Sequence, residues 1–251
     1  MRRFMVDKAA IENDQIIILG EEARHISLVL RLQCADIIEV FDGSGTDYQL
    51  ELLEVASTRV VGRIIDQCRS AAEPQVSLVL VQGLAKGEKM DLIIQKAVEL
   101  GVSRIIPVNT DHAVVKISGD KTADKVTRWN RISAEACKQC GRSRPPRVEE
   151  IADLEAVISS RQGRPGIFFS VGSNNNSLRS ELETIRKLIQ ADELYLFIGP
   201  EGGFSRAEAK QAEDMGMVIA GLGPRILRTE TAAIAALSVV MYEIGDLGGC
   251  R

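Results

Sequence analysis

Histidine, cysteine, aromatic residues and long apolar runs are all scarce in this chain of 251 residues. Two histidines are too few for a histidine-rich metal centre and leave little room for Ser-His-Asp catalysis. Five cysteines are an odd number in a long chain and do not resemble the disulfide framework of a secreted protein. No apolar run approaches the ~20 residues of a membrane span, and the N-terminus has no apolar signal-peptide region. We therefore expect a cytoplasmic protein with no membrane contact and no metal.

The standard nucleotide and zinc motifs are absent as well. Gly83 and Gly87 do not have the spacing of a phosphate-binding loop, and Gly87 is followed by Glu88 instead of lysine. No G-x-G-x-x-G follows the first strand of the α/β region. Cys137 and Cys140 form a single C-x-x-C, whereas a zinc site needs four ligands. These absences disfavour a Rossmann enzyme, a zinc protein and a redox role.

Positive charge is concentrated in one part of the chain, although the net charge is −4. Residues 116–147 carry nine basic and three acidic side chains, a balance of +6, so the remainder carries −10. A basic segment on an acidic body is typical of a local contact with a polyanion such as RNA. A solvated helix face would give the same pattern, and charge alone does not separate the two.

The first 70 residues or so have the pattern of a small β-domain. Strands are predicted at 14–19, 36–41, 47–56 and 59–66, with a turn at 42–45 and one helix at 21–32. In that helix Ile26, Val29 and Leu30 recur at helical spacing. This pattern favours a small β-barrel domain over residues 1–72, and residues 70–74 are predicted to be a linker.

From residue 76 onward, apolar strands alternate with amphipathic helices. Strands are predicted at 76–81, 104–108, 166–171, 194–198 and 217–222. Helices are predicted at 88–100, 123–141, 178–190, 205–215 and 229–244. Such alternation predicts an α/β domain over residues 73–251, with a parallel sheet covered by helices on both faces.

Two of these strands end in unusual loops, and in parallel sheets ligands bind beyond the carboxyl ends of strands. The first loop is Gly-Pro-Glu-Gly-Gly at 199–203, followed by Ser205 as a helix N-cap and Glu208 three residues later, a capping box. Glycines there allow the backbone to approach a ligand closely. A tight strand-to-helix turn is the simpler interpretation, but three glycines, a proline and an acid exceed what a turn needs.

The second loop begins at Leu222, continues through Gly223 and Pro224, and enters an alanine-rich helix. Arg225 and Arg228 flank Ile226 and Leu227 directly before that helix. A capped core helix is the simpler interpretation of this segment as well.

At these two loops the sequence resembles the SPOUT methyltransferases and, within them, the ribosomal small-subunit methyltransferase E family, which methylates N3 of uracil 1498 in 16S ribosomal RNA. The similarity covers nearly the whole chain. Besides 199–205 and 222–232, it includes segments at 2–4, 25–32, 41–43, 86–102, 128–136 and 139–143. Lys138 and residues 172–176 depart from the family pattern.

The resemblance implies a parallel-sheet SPOUT domain with a C-terminal trefoil knot, preceded by a PUA-like β-barrel that binds RNA. It also implies S-adenosylmethionine as cofactor, a homodimer, and 16S ribosomal RNA within the small subunit as partner. The residues implied to surround the cofactor are Gly199, Pro200, Gly203, Leu222, Gly223, Ile226 and Leu227.

Catalytic roles follow from the chemistry of N3 methylation. Uracil N3 becomes a nucleophile on losing its proton, and the charge spreads to two carbonyl oxygens that an arginine can stabilise as an oxyanion hole does. Arg228, after the cofactor loop and before a helix, is the candidate for this role. Glu201 is the candidate for accepting the proton or orienting the base, or alternatively for locking its own loop through backbone N–H groups.

Basic residues in two parts of the chain are predicted to contact RNA phosphates without determining sequence specificity. They are Arg2, Arg3, Arg24, His25 and Arg31 in the small domain, and Arg142 and Arg144 in the basic segment. Two alternatives remain open: a non-catalytic RNA-binding protein with a knotted α/β fold, and an unrelated α/β enzyme that uses a nucleotide cofactor.

Overall fold

A computed structural model describes residues 3–113, 121–170, 178, 181, 193–244 and 247–248. The chain forms two compact units: unit 1 is Met1–Glu73 with Cys137–Pro145, and unit 2 is Pro74–Ala136 with Pro146–Arg251. The domain boundary at residue 72 stays a prediction. The structure also assigns residues 137–145 to unit 1, which the sequence did not indicate. Arg2, the loop at 172–176 and most of the predicted helix 178–190 lie outside the described residues.

Unit 1 is built on a six-stranded sheet that is antiparallel except for one pair. The order is β1-β4-β5-β6-β3-β2, and β1 pairs in parallel with β4. Alternate residues of these strands, such as Ile16 and Ile18, are buried in one apolar core. The strands are β1 (Arg3–Met5), β2 (Ile11–Glu12), β3 (Gln15–Leu19), β4 (Ile37–Phe41), β5 (Thr46–Val55) and β6 (Arg59–Arg69).

The helix predicted at 21–32 is shorter and irregular. It consists of α1 (Gly20–Arg24) followed by a π-helical turn, His25–Val29, in which the Leu30 N–H donates to the His25 carbonyl at 2.9 Å. Ile26 is buried, but Val29 is 67% exposed. The regular helix predicted over 21–32 is therefore not observed, and Ile26 and Val29 do not share a buried face, because the i→i+5 hydrogen bonding of a π turn breaks the 3.6-residue period.

Unit 2 contains a seven-stranded sheet whose described pairings are all parallel. The order is β10-β8-β7-β12-β11-β13, with the short β9 also on β8. The predicted parallel α/β sheet is confirmed. The strands are β7 (Ser77–Gly83), β8 (Arg104–Asn109), β9 (Arg147–Val148), β10 (Ala152–Asp153), β11 (Gly166–Phe169), β12 (Glu193–Ile198) and β13 (Val218–Ala220).

Helices cover both faces of this sheet, because successive strand residues point to opposite sides. Leu78 and Leu80 pack with α2 (Lys89–Glu99), α3 (Lys121–Cys140) and α6 (Thr229–Glu243). Val79 and Val81 pack on the other side with α4 (Leu154–Ser160) and α5 (Arg206–Asp214). The trefoil knot stays a prediction. In the described part of the chain, no helix is both long and apolar enough to span a membrane.

The strand order places the two unusual loops on one edge of the sheet. β12 and β13 flank β11, and all three are parallel, so their carboxyl ends lie side by side. The loop at 199–204 follows β12 and the loop at 221–228 follows β13. The sheet therefore brings together two segments separated by about twenty residues of sequence.

Candidate functional site

A cavity of about 630 Å³ lies between the two loops, entirely within unit 2. Its walls are the end of β11, residues 199–204, residues 221–227, and Thr229 and Ala232 of α6. All seven predicted cofactor residues line it: Gly199, Pro200, Gly203, Leu222, Gly223, Ile226 and Leu227. Ile226 is 82% exposed, at the rim. The structure thus assembles the predicted set, and contact with a cofactor stays a prediction.

The first loop needs glycine at two positions for different reasons. A Cβ on Gly199 would lie 3.0 Å from the Cα of Gly203, so the close packing of these two backbones excludes a side chain. Gly203 has a φ of +68°, in the left-handed region, and its N–H donates to the Pro200 carbonyl at 2.9 Å. These contacts make the loop a compact turn at the wall of the cavity.

The predicted capping box at the start of α5 is confirmed. The Glu208 N–H donates to Ser205 Oγ at 3.2 Å, and the Ser205 N–H donates to Glu208 Oε2 at 2.6 Å. Both side chains also engage the end of β8, since Ser205 Oγ donates to Asp111 Oδ2 and the Asp111 N–H donates to Glu208 Oε1. The cap therefore ties the helix after the first loop to a neighbouring strand end.

Glu201 is held by a lysine and a backbone amide. Lys89 Nζ lies 2.8 Å from Glu201 Oε1, the Lys86 N–H donates to the same oxygen at 3.1 Å, and Lys89 also lies 3.9 Å from Glu230. Burial by itself raises the pKa of Glu201, but hydrogen bonds from Lys89 and from backbone N–H groups outweigh it and hold the pKa below its usual value. This arrangement favours the alternative in which Glu201 locks its loop, because a weakly basic carboxylate is a poor proton acceptor.

The two arginines of the second loop differ in position. Arg225 lines the cavity, whereas Arg228 occupies the N-cap of α6 with an exposed side chain outside the cavity wall. Among the described residues, neither arginine has an ion-pair partner. The nearby acids Glu201 and Glu230 both lie beside Lys89 instead. The catalytic role of Arg228 stays a prediction, and Arg225, which the sequence analysis did not propose for this role, is a second candidate because it lines the cavity.

Sequence reasoning missed the buried polar residues behind the loops. Gln82 Nε2 donates to Thr229 Oγ1 at 3.1 Å, and Thr229 Oγ1 donates to the Gly199 carbonyl at 2.6 Å. One signal for Gln82 was present, a single polar residue at the end of an otherwise apolar buried strand. Lys89 had no such signal, since a lysine in the first turn of an amphipathic helix is ordinary.

Two arginines predicted to contact RNA are buried inside unit 1. The Arg3 side chain is 2% exposed and donates to Asp47 at 2.7 Å and to Ser143 Oγ at 2.8 Å. The Arg142 side chain is 4% exposed and lies 3.1 Å from Glu73. Since each guanidinium is enclosed with its own carboxylate, the prediction that Arg3 and Arg142 contact RNA is corrected: both hold segment 137–145 in unit 1.

The other small-domain candidates remain on the surface. Arg24, His25 and Arg31 are exposed along α1 and the π-helical turn, and the His25 ring packs edge-on against Phe4. Arg144 is exposed, and its Nε donates to the Ser44 carbonyl at 2.7 Å. Their contact with RNA stays a prediction, and Arg2 lies outside the described residues.

The basic segment is partly neutralised by acids. Arg128 pairs with Asp91 within unit 2, and Lys138 pairs with Glu22 within unit 1. Its first residues, 116–120, lie outside the described part of the chain. Among the described residues of this segment, fewer positive charges are therefore unpaired than its +6 balance suggests.

Cys137 and Cys140 face each other in the last turn of α3. The hydrogen bond with Cys140 and burial together raise the pKa of the Cys137 thiol far above its usual value, so it stays protonated. No group of three or more metal-binding side chains occurs among the described residues. A neutral buried thiol is a poor redox nucleophile.

Comparisons with known proteins identify the same family over both parts of the chain. The RNA methyltransferase domain family matches residues 72–241, and the RNA methyltransferase PUA domain family matches residues 18–65. The ribosomal RNA small subunit methyltransferase E of Bacillus subtilis is 32% identical to this chain over 99% of both sequences.

Solved structures agree in fold. The crystal structure of a ribosomal RNA small subunit methyltransferase E from Neisseria gonorrhoeae, bound to S-adenosyl methionine, matches with a TM-score of 0.88 and 29% identity, over 98% of this chain and 99% of that one. A Legionella pneumophila protein in complex with the bound cofactor SAM matches with a TM-score of 0.85 and 30% identity, over 96% and 97%. With similarity along its full length and the methyltransferase domain family over two thirds of it, this chain belongs to the ribosomal RNA small subunit methyltransferase E family.

Proposed function

We propose that this protein transfers a methyl group from S-adenosylmethionine to N3 of a specific uracil, at position 1498, in the 16S RNA of the small ribosomal subunit. The observation that carries the proposal is the cavity between loops 199–204 and 221–227, in a chain that belongs to this family. Relatives of the same fold have been solved with S-adenosylmethionine bound.

The residues present fit such a cofactor. A volume of about 630 Å³ lies within the range of small-molecule sites, roughly 300–1,000 Å³. Leu222, Ile226 and Leu227 supply apolar walls for an adenine, and the glycine-rich first loop presents backbone N–H and C=O groups for ribose and amino-acid atoms. When bound, the cofactor supplies a methyl group already activated by its positive sulfur.

The protein's own residues then position the target and stabilise charge. N3 would lose its proton to solvent water, and Arg228, with Arg225 as the alternative, would donate to the uracil carbonyl oxygens that then carry the negative charge, in the manner of an oxyanion hole. Glu201 keeps the first loop in place through Lys89 and the Lys86 N–H. No side chain needs to form a covalent intermediate with the base.

We further infer a cytoplasmic homodimer. Exposed apolar side chains support a partner surface in unit 2, among them Val239 and Tyr242 on α6 and Leu92 on α2. Light scattering of the purified protein would test the dimer directly.

Mass spectrometry of ribosomal RNA from cells with and without the gene tests the function. The proposal expects loss of one methylated uracil in 16S RNA and its restoration by the purified protein with S-adenosylmethionine. A non-catalytic RNA-binding protein would bind the subunit and leave the RNA unmethylated. An unrelated nucleotide enzyme would not bind S-adenosylmethionine in calorimetry.

A further inference from the structure

Gln82 is a fully buried amide directly behind the first loop of the cavity. Its Nε2 donates to the Gly83 carbonyl at 2.9 Å and to Thr229 Oγ1 at 3.1 Å, with the carbonyls of Ile198 and Gly199 each at 3.4 Å. Three carbonyl oxygens surround this nitrogen, and a carbonyl oxygen can only accept a hydrogen bond. The orientation of the amide is therefore determined by its surroundings.

This orientation also determines where the Thr229 hydroxyl points. Thr229 Oγ1 accepts from Gln82, which directs its own proton to the Gly199 carbonyl at 2.6 Å. Thr229 is buried at the start of α6 and Gly199 begins the first loop, and both line the cavity. A chain of two hydrogen bonds thus connects β7, α6 and the first loop.

The other end of the amide contributes no hydrogen bond. Within the described part of the chain, Gln82 Oε1 is buried and has no hydrogen-bond partner. A buried acceptor without a partner costs free energy. What Gln82 provides at this position is therefore the set of hydrogen bonds from its amide nitrogen.

We propose that Gln82 and Thr229 are positioning residues that hold the Gly199 carbonyl and fix the first loop in the conformation that binds S-adenosylmethionine. The inference rests on the proposed function and adds residues that act through the loop. Neither residue reacts. Both act by limiting the loop to one arrangement, so that cofactor binding does not have to order it.

We call the two hydrogen bonds from Gln82 to Thr229 and from Thr229 to the Gly199 carbonyl the relay, and substitutions at Thr229 test it. Thr229→Val keeps the shape and removes the hydroxyl, and one lost hydrogen bond should weaken S-adenosylmethionine binding about tenfold in calorimetry. Thr229→Ser keeps the hydroxyl and should bind nearly as well as wild type. The KM for the small ribosomal subunit should stay unchanged, because Gln82 and Thr229 are both buried.

Gln82→Met keeps the approximate size of the side chain and removes its hydrogen bonds, and it should weaken cofactor binding to a similar extent. The double variant should be no worse than Thr229→Val alone, because both changes remove the same constraint. Ser133→Ala is the matched control: it removes another buried hydroxyl bond of unit 2, Ser133 Oγ to the Pro146 carbonyl at 2.7 Å, away from the cavity. It should lower stability and leave cofactor affinity unchanged.

Wild-type affinity in both Thr229→Val and Gln82→Met overturns the inference, as does a Thr229→Ser variant as weak as Thr229→Val. An equal loss of cofactor affinity in Ser133→Ala would mean that the relay affects binding only through overall stability, and this result also overturns the inference. If the wild-type protein binds no S-adenosylmethionine, the proposed function itself fails, and that result is distinct because it does not depend on any variant. Should Thr229→Val not fold, Gln82→Met tests the same relay.

Discussion

Gly203 is predicted to contribute to the cofactor site through its backbone conformation. Its φ of +68° suits glycine, and no heavy atom of the described structure lies within 4 Å of a Cβ built there. The harm from a side chain would therefore come from backbone strain, roughly 1–2 kcal/mol for a left-handed residue and more for a branched one, and from contact with a ligand. The turn that presents the cavity wall depends on this position.

We expect Gly203→Val to lose S-adenosylmethionine binding in calorimetry while remaining folded. Gly163→Val is the matched control, because Gly163 also has a positive φ, +78°, and open space around it, in a turn away from the cavity. The control should be strained equally and bind normally. Wild-type affinity in Gly203→Val would remove Gly203 from the cofactor site.

Arg228 is predicted to stabilise the uracil anion from the N-cap of α6. Arg228→Ala should lose about 2.7–4 kcal/mol of transition-state stabilisation, the usual effect of removing one oxyanion donor, and Arg228→Lys should recover part of it. Cofactor affinity should stay within a few-fold of wild type. A single-turnover rate close to wild type would contradict the role, and Arg225→Ala, which changes the arginine that lines the cavity, would be measured next.

The lowered pKa of Glu201 leads to a prediction about how cofactor affinity depends on pH. Its pKa is lowered in the folded protein, so the charged form stabilises the loop at and above the ordinary glutamate value of about 4.3, and this stabilisation is lost as pH falls through the lower, folded pKa. Glu201 should therefore cause no pH dependence of cofactor affinity in calorimetry between about pH 6 and 8, and Glu201→Gln should weaken binding by the same factor throughout that range. Affinity that titrates near neutral pH and flattens in Glu201→Gln would assign Glu201 a proton-transfer role instead.

At the scale of elements, the capping box at the start of α5 stabilises the helix that follows the first loop. Ser205→Ala removes the side-chain cap and should lower the free energy of unfolding by about 1 kcal/mol, whereas Ser205→Thr keeps the hydroxyl and should cost less. Urea denaturation measures both. Equal stability of wild type and Ser205→Ala would mean that Asp111 and Glu208 alone hold this helix end.

The π-helical turn is the element that local reasoning described incorrectly. Apolar residues at helical spacing predict a regular helix over 21–32, yet the turn at His25–Val29 exposes Val29 and leaves Leu30 at the surface. Leu28 and Val29 are both exposed on this turn. Periodicity predicts which face of a regular helix is buried and contains no information about an inserted residue.

At the scale of the whole molecule, RNA binding should depend on the cations that remain exposed in unit 1. A combined Arg24→Ala and Arg31→Ala change should lower RNA affinity and reduce the slope of log affinity against log salt by roughly 1.4–1.8, for two lost phosphate contacts. Filter binding over a salt series measures it. Arg59→Ala with Arg63→Ala is the control, because it removes the same charge from arginines paired with Glu54 and Glu51.

An unchanged slope in the first pair, or an equal reduction in the control pair, would contradict a specific RNA contact at α1 and the π-helical turn. Arg142 is unsuitable for this test. Its guanidinium is buried with Glu73, so its removal would leave an uncompensated carboxylate inside unit 1 and mainly lower stability.

Much of the fold and the candidate site could be predicted from local patterns. Predominantly apolar runs such as 76–81 indicated strands buried on both faces. Ser205 with Glu208 indicated where α5 begins. Both signals are local, because burial and capping act over a few residues. The glycines and prolines of the two loops marked the segments that line the cavity, and family resemblance supplied the expected ligand.

Only the tertiary structure decided which distant residues meet. Arg3 is buried with Asp47, Lys89 bonds to Glu201, and Gln82 reaches Thr229, across separations of 44, 112 and 147 residues. Such pairs depend on strand order, on segment 137–145 grouping with unit 1 and on the approach of α6 to β7. The sequence by itself therefore determined the strands, helix starts and loop chemistry, where the interacting groups are neighbours along the chain. The fold determined which charges are buried and which polar groups hold the loops, because a charged or polar residue has the same local signature whether it faces water or a partner from another element.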